Sequence, residues 1–169
     1  MTKKIDTGIL VKKAEQYIIF DKCEEAEVLL RKAIKQDNLN PEAHYLLGEA
    51  LCKQGLFQEA VSELEKADEL LPKNARIHQM HGWVIHMNGE SEKGRILLLK
   101  ALEELPDDVS ILCDLAVLEI KEENFEKAEK YATEAIKIDP ENLQARDVFQ
   151  NTVRFANLNK LIKKKRTIN

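Results

Sequence analysis

Residues 41–74 read PEAHYLLGEALCKQGLFQEAVSELEKADELLPKN. Two amphipathic helical patterns fill this stretch, with Gly55 between them and Pro72 after the second. Proline cannot continue a helix because it has no N–H, whereas glycine readily adopts the positive φ of a tight turn. The stretch therefore predicts one helix–turn–helix unit of 34 residues.

The same pattern recurs along the chain with a period of 34 residues. Three columns hold a small residue in all four copies: Ala14, Gly48, Gly82 and Ala116; Ala26, Ala60, Gly94 and Ala128; Ala33, Ala67, Ala101 and Ala135. The helix stops keep the same spacing, at Asn38, Pro72, Pro106 and Pro140. Small side chains let two antiparallel helix backbones approach closely. The chain is therefore predicted to contain four repeats within residues 1–142, namely 7–40, 41–74, 75–108 and 109–142, with helices at roughly 7–20, 23–36, 41–54, 57–71, 75–88, 91–105, 109–122 and 125–138.

The segment after Pro140 carries apolar residues at helical spacing, among them Val148, Phe149 and Phe155. The last repeat of such an array exposes an apolar face that another element must cover. Residues 143–160 are therefore predicted to form a capping helix. Residues 161–169 form a basic tail that is predicted to be disordered, because charged chain ends commonly are.

Composition excludes several classes of protein. The net charge of −4 argues against a dedicated nucleic-acid binder, and no segment is long and apolar enough for a membrane span. The N-terminal residues lack an apolar run of signal-peptide length, so no signal peptide is expected, and three cysteines are an odd number for a disulfide framework. These features predict a cytoplasmic protein with neither nucleic acid nor membrane as its partner.

Residues 41–74 closely resemble a tetratricopeptide repeat. The residues that fall on the family's positions are Leu47, Gly48, Leu51, Gly55, Ala60, Leu64, Ala67 and Pro72. Residues 75–108 and 109–142 resemble it almost as well, whereas 7–40 departs from it at Lys13 and Asn38. The resemblance implies an all-α fold, an α-solenoid in which antiparallel helix pairs form a right-handed superhelix. It also implies a scaffold for protein–protein interaction and not an enzyme.

In this family the first helix of each repeat lines a concave groove that holds the partner. By that resemblance the candidate partner-binding residues are Tyr45, Glu49, Arg76, Gln79, Trp83, His86, Met87, Cys113, Val117 and Ile120. Trp83 and Met87 would supply apolar contacts, although Trp83 could instead pack against a neighbouring helix. The family's carboxylate clamp does not fit, because Val11, Glu15 and Leu46 occupy positions where it needs Lys and Asn.

The four histidines raise the alternative of a metal site. His78, His81 and His86 share one predicted helix, and His44 lies one repeat before His78. However, His44, His78 and His81 occupy the family's core positions, so packing within the helix pairs is the favoured interpretation. No metal or other cofactor is expected, and the sequence contains no nucleophile or phosphate-binding motif.

The sequence thus predicts a non-enzymatic module that binds an apolar or amphipathic segment of a partner protein. Glu15, Glu42 and Glu49 would favour Lys or Arg in that segment. Two alternatives stay open. One is a small secretion-type chaperone for a hydrophobic client, and the other is a scaffold that assembles into homo-oligomers.

Overall fold

The computed structural model describes residues 6–166, which form nine α-helices and no strand. The helices are α1 (Thr7–Ile19), α2 (Cys23–Gln36), α3 (Pro41–Lys53), α4 (Phe57–Leu70), α5 (Ala75–Met87), α6 (Ser91–Glu104), α7 (Val109–Lys121), α8 (Phe125–Ile138) and α9 (Leu143–Arg166). Helices α1 to α8 begin where the repeat predicts and end within one residue of the predicted positions. The predicted all-α class is confirmed. None of the helices within residues 6–166 is both long and apolar enough to cross a membrane.

Every first helix begins with an Asp or Asn cap, and these caps recur at the repeat spacing. The capping residues are Asp6, Asn40, Asn74, Asp108 and Asn142, and the side chain of each accepts a hydrogen bond from a backbone N–H in the first turn. Such caps contribute about 1 kcal/mol each because they satisfy N–H groups that have no partner inside the helix. Asn142 continues the column, so α9 starts in the register of a fifth first helix.

The turns inside the repeats depend on one residue with positive φ. Gly55 and Gly89 have φ values of 79° and 95°, as expected for glycine in a left-handed turn. Asp21 and Glu123 occupy the same position in the outer repeats, with φ values of 57° and 58°. The two outer turns are therefore strained, because a side chain makes this backbone conformation unfavourable.

The described residues separate into two compact units, one ending at Gly94 and the other beginning at Arg95, so that the boundary falls inside α6. In the first unit the small columns allow the close helix contacts that were predicted. A Cβ atom added at Gly48 would lie 2.5 Å from Cγ of Leu64, and one added at Gly94 would lie 2.5 Å from the carbonyl oxygen of Gly82. The columns that contain Gly48 and Gly94 therefore require small residues at these contacts.

In the second unit α7, α8 and α9 enclose an apolar core, built around residues such as Leu112, Ala132 and Ala145. The capping helix does not end at residue 160 as predicted, because α9 continues to Arg166. The residues predicted to be a disordered tail are thus helical as far as residue 166, and residues 167–169 lie outside the described part of the chain. Lysine and arginine are good helix formers, which a prediction from charge alone overlooked.

A buried ion pair crosses the second unit. The Glu119 side chain is fully buried, and its carboxylate accepts hydrogen bonds from Nε of Arg95 at 2.7 Å and from Nδ2 of Asn124 at 2.8 Å. Glu119 occupies the column that holds Leu51 and Ile85 in the preceding repeats. This network was not predicted, although a carboxylate in an otherwise apolar column is a visible sign of a buried partner.

Candidate functional site

In the first unit the predicted site residues Tyr45, Glu49 and Arg76 lie together on α3 and α5. The guanidinium carbon of Arg76 lies 4.2 Å from the centroid of the Tyr45 ring, and Nη1 of Arg76 donates to Oε1 of Glu42 at 3.1 Å. Tyr45 is only 5% exposed, so its ring forms the floor under the arginine. We call Glu42, Tyr45, Glu49 and Arg76 the Arg76 cluster.

The Arg76 and Glu42 side chains of the Arg76 cluster remain accessible although they are held in place. About half of the Arg76 side chain is exposed, and so is nearly half of Glu42. A guanidinium has five N–H donors in a fixed fork, so its ion pair with Glu42 leaves donors for another acceptor. The cation–π contact with Tyr45 fixes the plane of that fork. The cluster is therefore a partly ordered donor group at the surface.

Glu49 adds an acceptor to the cluster. Burial raises the pKa of the Glu49 carboxyl, and Glu15 and Glu42 add to the rise, whereas Arg76 and Lys53 oppose it. A half-buried carboxylate gains from a further cation, because the cation offsets the loss of hydration. The Arg76 cluster thus offers both N–H donors and a carboxylate that favours a positive partner.

The C-terminal half of α5 presents the predicted aromatic residue. The rings of Trp83 and His86 lie 5.8 Å apart between centroids, with an angle of 54° between their planes. His86 is buried, and its Nδ1 lies 3.0 Å from the hydroxyl oxygen of Ser91. Gln79, Trp83 and Met87 are half-buried. His86 thus packs against the indole ring, while Trp83 and Met87 keep part of their surface accessible.

The three remaining candidates lie in the second unit. Val117 and Ile120 are half-buried, but Cys113 has no exposed surface and packs in the apolar core with Leu112 and Ala116. Burial raises the pKa of the Cys113 thiol to about 11, so the group stays a neutral thiol at physiological pH. Cys113 therefore acts as a core residue and is not available to a partner in this conformation.

The four histidines are buried, and their partners include carboxylates of α4. Nδ1 of His44 lies 2.7 Å from a carboxylate oxygen of Glu63, and Nε2 of His78 lies 3.0 Å from one of Asp68. Within the described part of the chain, no three His, Cys, Asp or Glu side chains form a group that could hold a metal ion. His44 packs within its own helix pair, as predicted, whereas His78 faces α4 of the preceding repeat. Neither carboxylate was predicted, because each comes from another helix.

His81 is buried without such a partner. Neither of its ring nitrogens has a hydrogen-bond partner among the described residues. Burial lowers its pKa and the nearby His78 adds to this, whereas Asp68 and Glu65 act in the opposite direction. His81 replaces the leucine expected at this core position and is held there as a neutral ring.

Comparison with known proteins identifies the repeat. Two models of the tetratricopeptide repeat match the chain, one over residues 21–84 and the other over residues 109–142. Together they cover more than half of the 169 residues. Residues 7–20, which include the departure at Lys13, lie outside both matches. No curated protein matches the sequence significantly.

Solved structures share the fold at low sequence identity. MamA from Desulfovibrio magneticus RS-1, beginning at its residue 41, is 20% identical with a TM-score of 0.73, and the match covers 98% of each chain. A tetratricopeptide repeat protein from Parabacteroides merdae is 23% identical with a TM-score of 0.71, and the match covers 89% of this chain and 60% of that one. YrrB, a TPR protein with an unusual peptide-binding site, is 19% identical with a TM-score of 0.70, with 90% and 78% covered. At these identities the likeness establishes the fold alone.

The family follows from several independent features. The period of 34 residues, the small columns at the helix contacts and the matched residues 21–84 and 109–142 agree with one another. The similar solved structures have the same α-solenoid architecture. Tetratricopeptide repeats bind proteins or peptides, which makes this chain a protein–protein interaction module. The chain belongs to the tetratricopeptide repeat family.

Proposed function

We propose that the first unit binds a segment of a partner protein along α1, α3 and α5, and that the protein has no catalytic activity of its own. The observation that carries the proposal is the Arg76 cluster. Its arginine is held by Tyr45 and Glu42 but keeps about half of its side chain exposed. A group that is ordered before binding loses less conformational entropy when the partner arrives.

The chemistry of the cluster suits a peptide backbone. Arg76 offers N–H donors to a carbonyl or carboxylate oxygen, and Glu49 offers an acceptor to an N–H group or an ammonium. Trp83 and Met87 on α5 supply accessible apolar surface of the kind enriched at binding hot spots. An amphipathic segment combines these features, since it presents polar and apolar groups side by side.

The charges of the first unit favour a basic residue in the bound segment. Burial, Glu15 and Glu42 raise the pKa of the Glu49 carboxyl, whereas Arg76 and Lys53 lower it. A Lys or Arg of the partner placed beside Glu49 would gain from a half-buried carboxylate. We further propose a cytoplasmic location, because all three cysteines are free and a reducing compartment keeps them so.

The proposal can be tested with peptides selected from a random library displayed on phage. The dissociation constant of a selected peptide is measured by calorimetry for the wild type and for Arg76→Ala. We expect Arg76→Ala to weaken binding at least about tenfold, which corresponds to about 1.4 kcal/mol. Trp83→Ala should weaken binding as well.

Arg31→Ala is the matched control. Arg31 also lies in exposed ion pairs, with Glu27 at 2.7 Å and Glu59 at 2.9 Å, but on the second helix of its repeat. This variant should bind as the wild type does. Selected peptides whose affinity is insensitive to Arg76→Ala and Trp83→Ala, in variants that remain folded, would exclude the proposed groove.

A further inference from the structure

A row of exposed apolar residues runs along the C-terminal half of α9. Phe155, Leu158 and Ile162 are 43%, 51% and 43% exposed. Their spacing of three and then four residues places them on one side of the helix. We call these three residues the α9 stripe.

The α9 stripe continues a row that is buried earlier in the same helix. Val148 lies seven residues before Phe155 and is 8% exposed, because it packs in the core with Cys113 of α7. Phe155 and Ile162 are one and two heptads further along the same side. Since α7 ends at Lys121, the later members of the row lack the helix that covers Val148.

Packing within the second unit does not explain why α9 is so long. It has 24 residues, whereas α7 has 13. Residues 157–164 include no buried side chain. A cavity of about 560 Å³ lies between this part of α9, at Ala156 and Lys160, and the N-terminal part of α8, at Phe125 and Glu129. A helix that buries so little is marginal alone, so a partner that covers the stripe would stabilise it.

Charge indicates the nature of that partner. Residues 143–166 contain seven Lys or Arg and a single acid, Asp147, although the whole chain has a net charge of −4. Pairing of α9 with α9 of a second copy would bring two strongly positive helices together, which is unfavourable. Leu161, which is 59% exposed, widens the apolar side next to the stripe. The exposed apolar side nevertheless extends over only about two turns, from residue 155 to residue 162, and is flanked by Asn157 and Asn159. This extent suits a short helix–helix contact better than the roughly 20–30 residues of many membrane-bound helices.

We propose that the α9 stripe is a second docking surface, which binds an acidic amphipathic helix of a partner protein. The apolar side of that helix packs on Phe155, Leu158 and Ile162, and its Asp and Glu residues lie among the basic residues of α9. This surface is separate from the Arg76 cluster, and its existence does not depend on the groove.

The test uses the full chain and a labelled synthetic helix. The probe is a peptide of about 18 residues, or five turns, with leucines on one side and glutamates on the other. Its counterpart has lysines in place of the glutamates. Fluorescence anisotropy should detect binding of the acidic peptide, much weaker binding of the basic one, and a loss of affinity as salt is added.

Leu158→Glu should weaken binding of the acidic peptide at least about tenfold. The matched control is Leu143→Glu, because Leu143 lies at the other end of α9, is 76% exposed and receives the same added charge. The control should keep the wild-type affinity to within about twofold, and circular dichroism should show both variants folded. Arg76→Ala should leave this binding unchanged, which separates the docking surface from the groove.

Other outcomes would overturn the proposal. The acidic peptide must bind, must bind better than the basic one, and must respond to Leu158→Glu more than to Leu143→Glu. Binding to vesicles of phosphatidylcholine and phosphatidylserine that requires Leu158, without binding of the peptide, would assign the stripe to a membrane surface. A dimer in light scattering that Leu158→Glu dissociates would assign it to a second copy of the chain.

Discussion

Replacing Arg95 by methionine tests whether the buried ion pair of the second unit is required for its stability. Methionine has a similar length but no charge, so Glu119 would keep its hydrogen bond from Asn124 and lose those from Nε and Nη2 of Arg95. At the observed distance of 2.7 Å, the Coulomb attraction is about 6 kcal/mol for an effective dielectric constant of about 20. The cost of removing water from both charges offsets part of this attraction.

The expected loss for Arg95→Met is therefore about 3–5 kcal/mol, since a buried carboxylate is left without its cation. In a chain of this size each kcal/mol shifts the unfolding temperature by roughly 2–4 °C, so the transition should fall by roughly 6–20 °C. Thermal unfolding followed by circular dichroism at 222 nm measures this shift. Urea unfolding of the same variant provides the free energy of unfolding.

The double variant Arg95→Met/Glu119→Leu should recover most of the lost stability, because no charge then remains buried and leucine matches Leu51 of the second repeat. Lys137→Met is the control, since Lys137 pairs with Glu134 at 3.8 Å on an exposed surface of the same unit. It should unfold as the wild type does. A shift of less than about 3 °C for Arg95→Met, or a double variant no more stable than the single one, would refute the reasoning.

Three further changes should alter the free energy of unfolding in known directions. Glu123→Gly should stabilise the protein by about 1 kcal/mol in urea unfolding, because glycine adopts the φ of 58° at this position without strain. An unchanged unfolding midpoint would show that the turn at residue 123 is not strained. Gly94→Ala should destabilise the protein by about 1–3 kcal/mol, because the new Cβ would lie 2.5 Å from the carbonyl oxygen of Gly82. Wild-type stability of this variant would mean that α5 and α6 can separate at little cost. His81 should make the protein less stable in acid, because burial lowers its pKa and only the unfolded chain takes up the proton as the pH falls below about 6.5. The contribution of one histidine to the change of unfolding free energy with pH is at most about 1.4 kcal/mol per pH unit, and His81→Leu should reduce this change. An equal change in both proteins between pH 5 and 7 would exclude His81 as its source.

The candidate site could be predicted only in part from the sequence. The register of the repeat placed Tyr45, Glu49 and Arg76 on first helices, and the structure brings these three together. It could not distinguish Gln79, which is half-buried, from Cys113, which lies one repeat later in the same column but is fully buried. Register determines the direction in which a side chain leaves its helix, whereas burial depends on which residues of other helices cover it.

The amino-acid sequence alone determined the helices and their pairing. A period of 34 residues with small columns, turn residues and caps depends on contacts within one repeat, so local propensity and periodicity are sufficient to predict it. The tertiary structure decided the buried pair of Arg95 and Glu119, the burial of His81, and the exposure of the α9 stripe. These features arise where residues distant along the chain meet or fail to meet, and the free energy of a charge or an apolar side chain depends on what surrounds it.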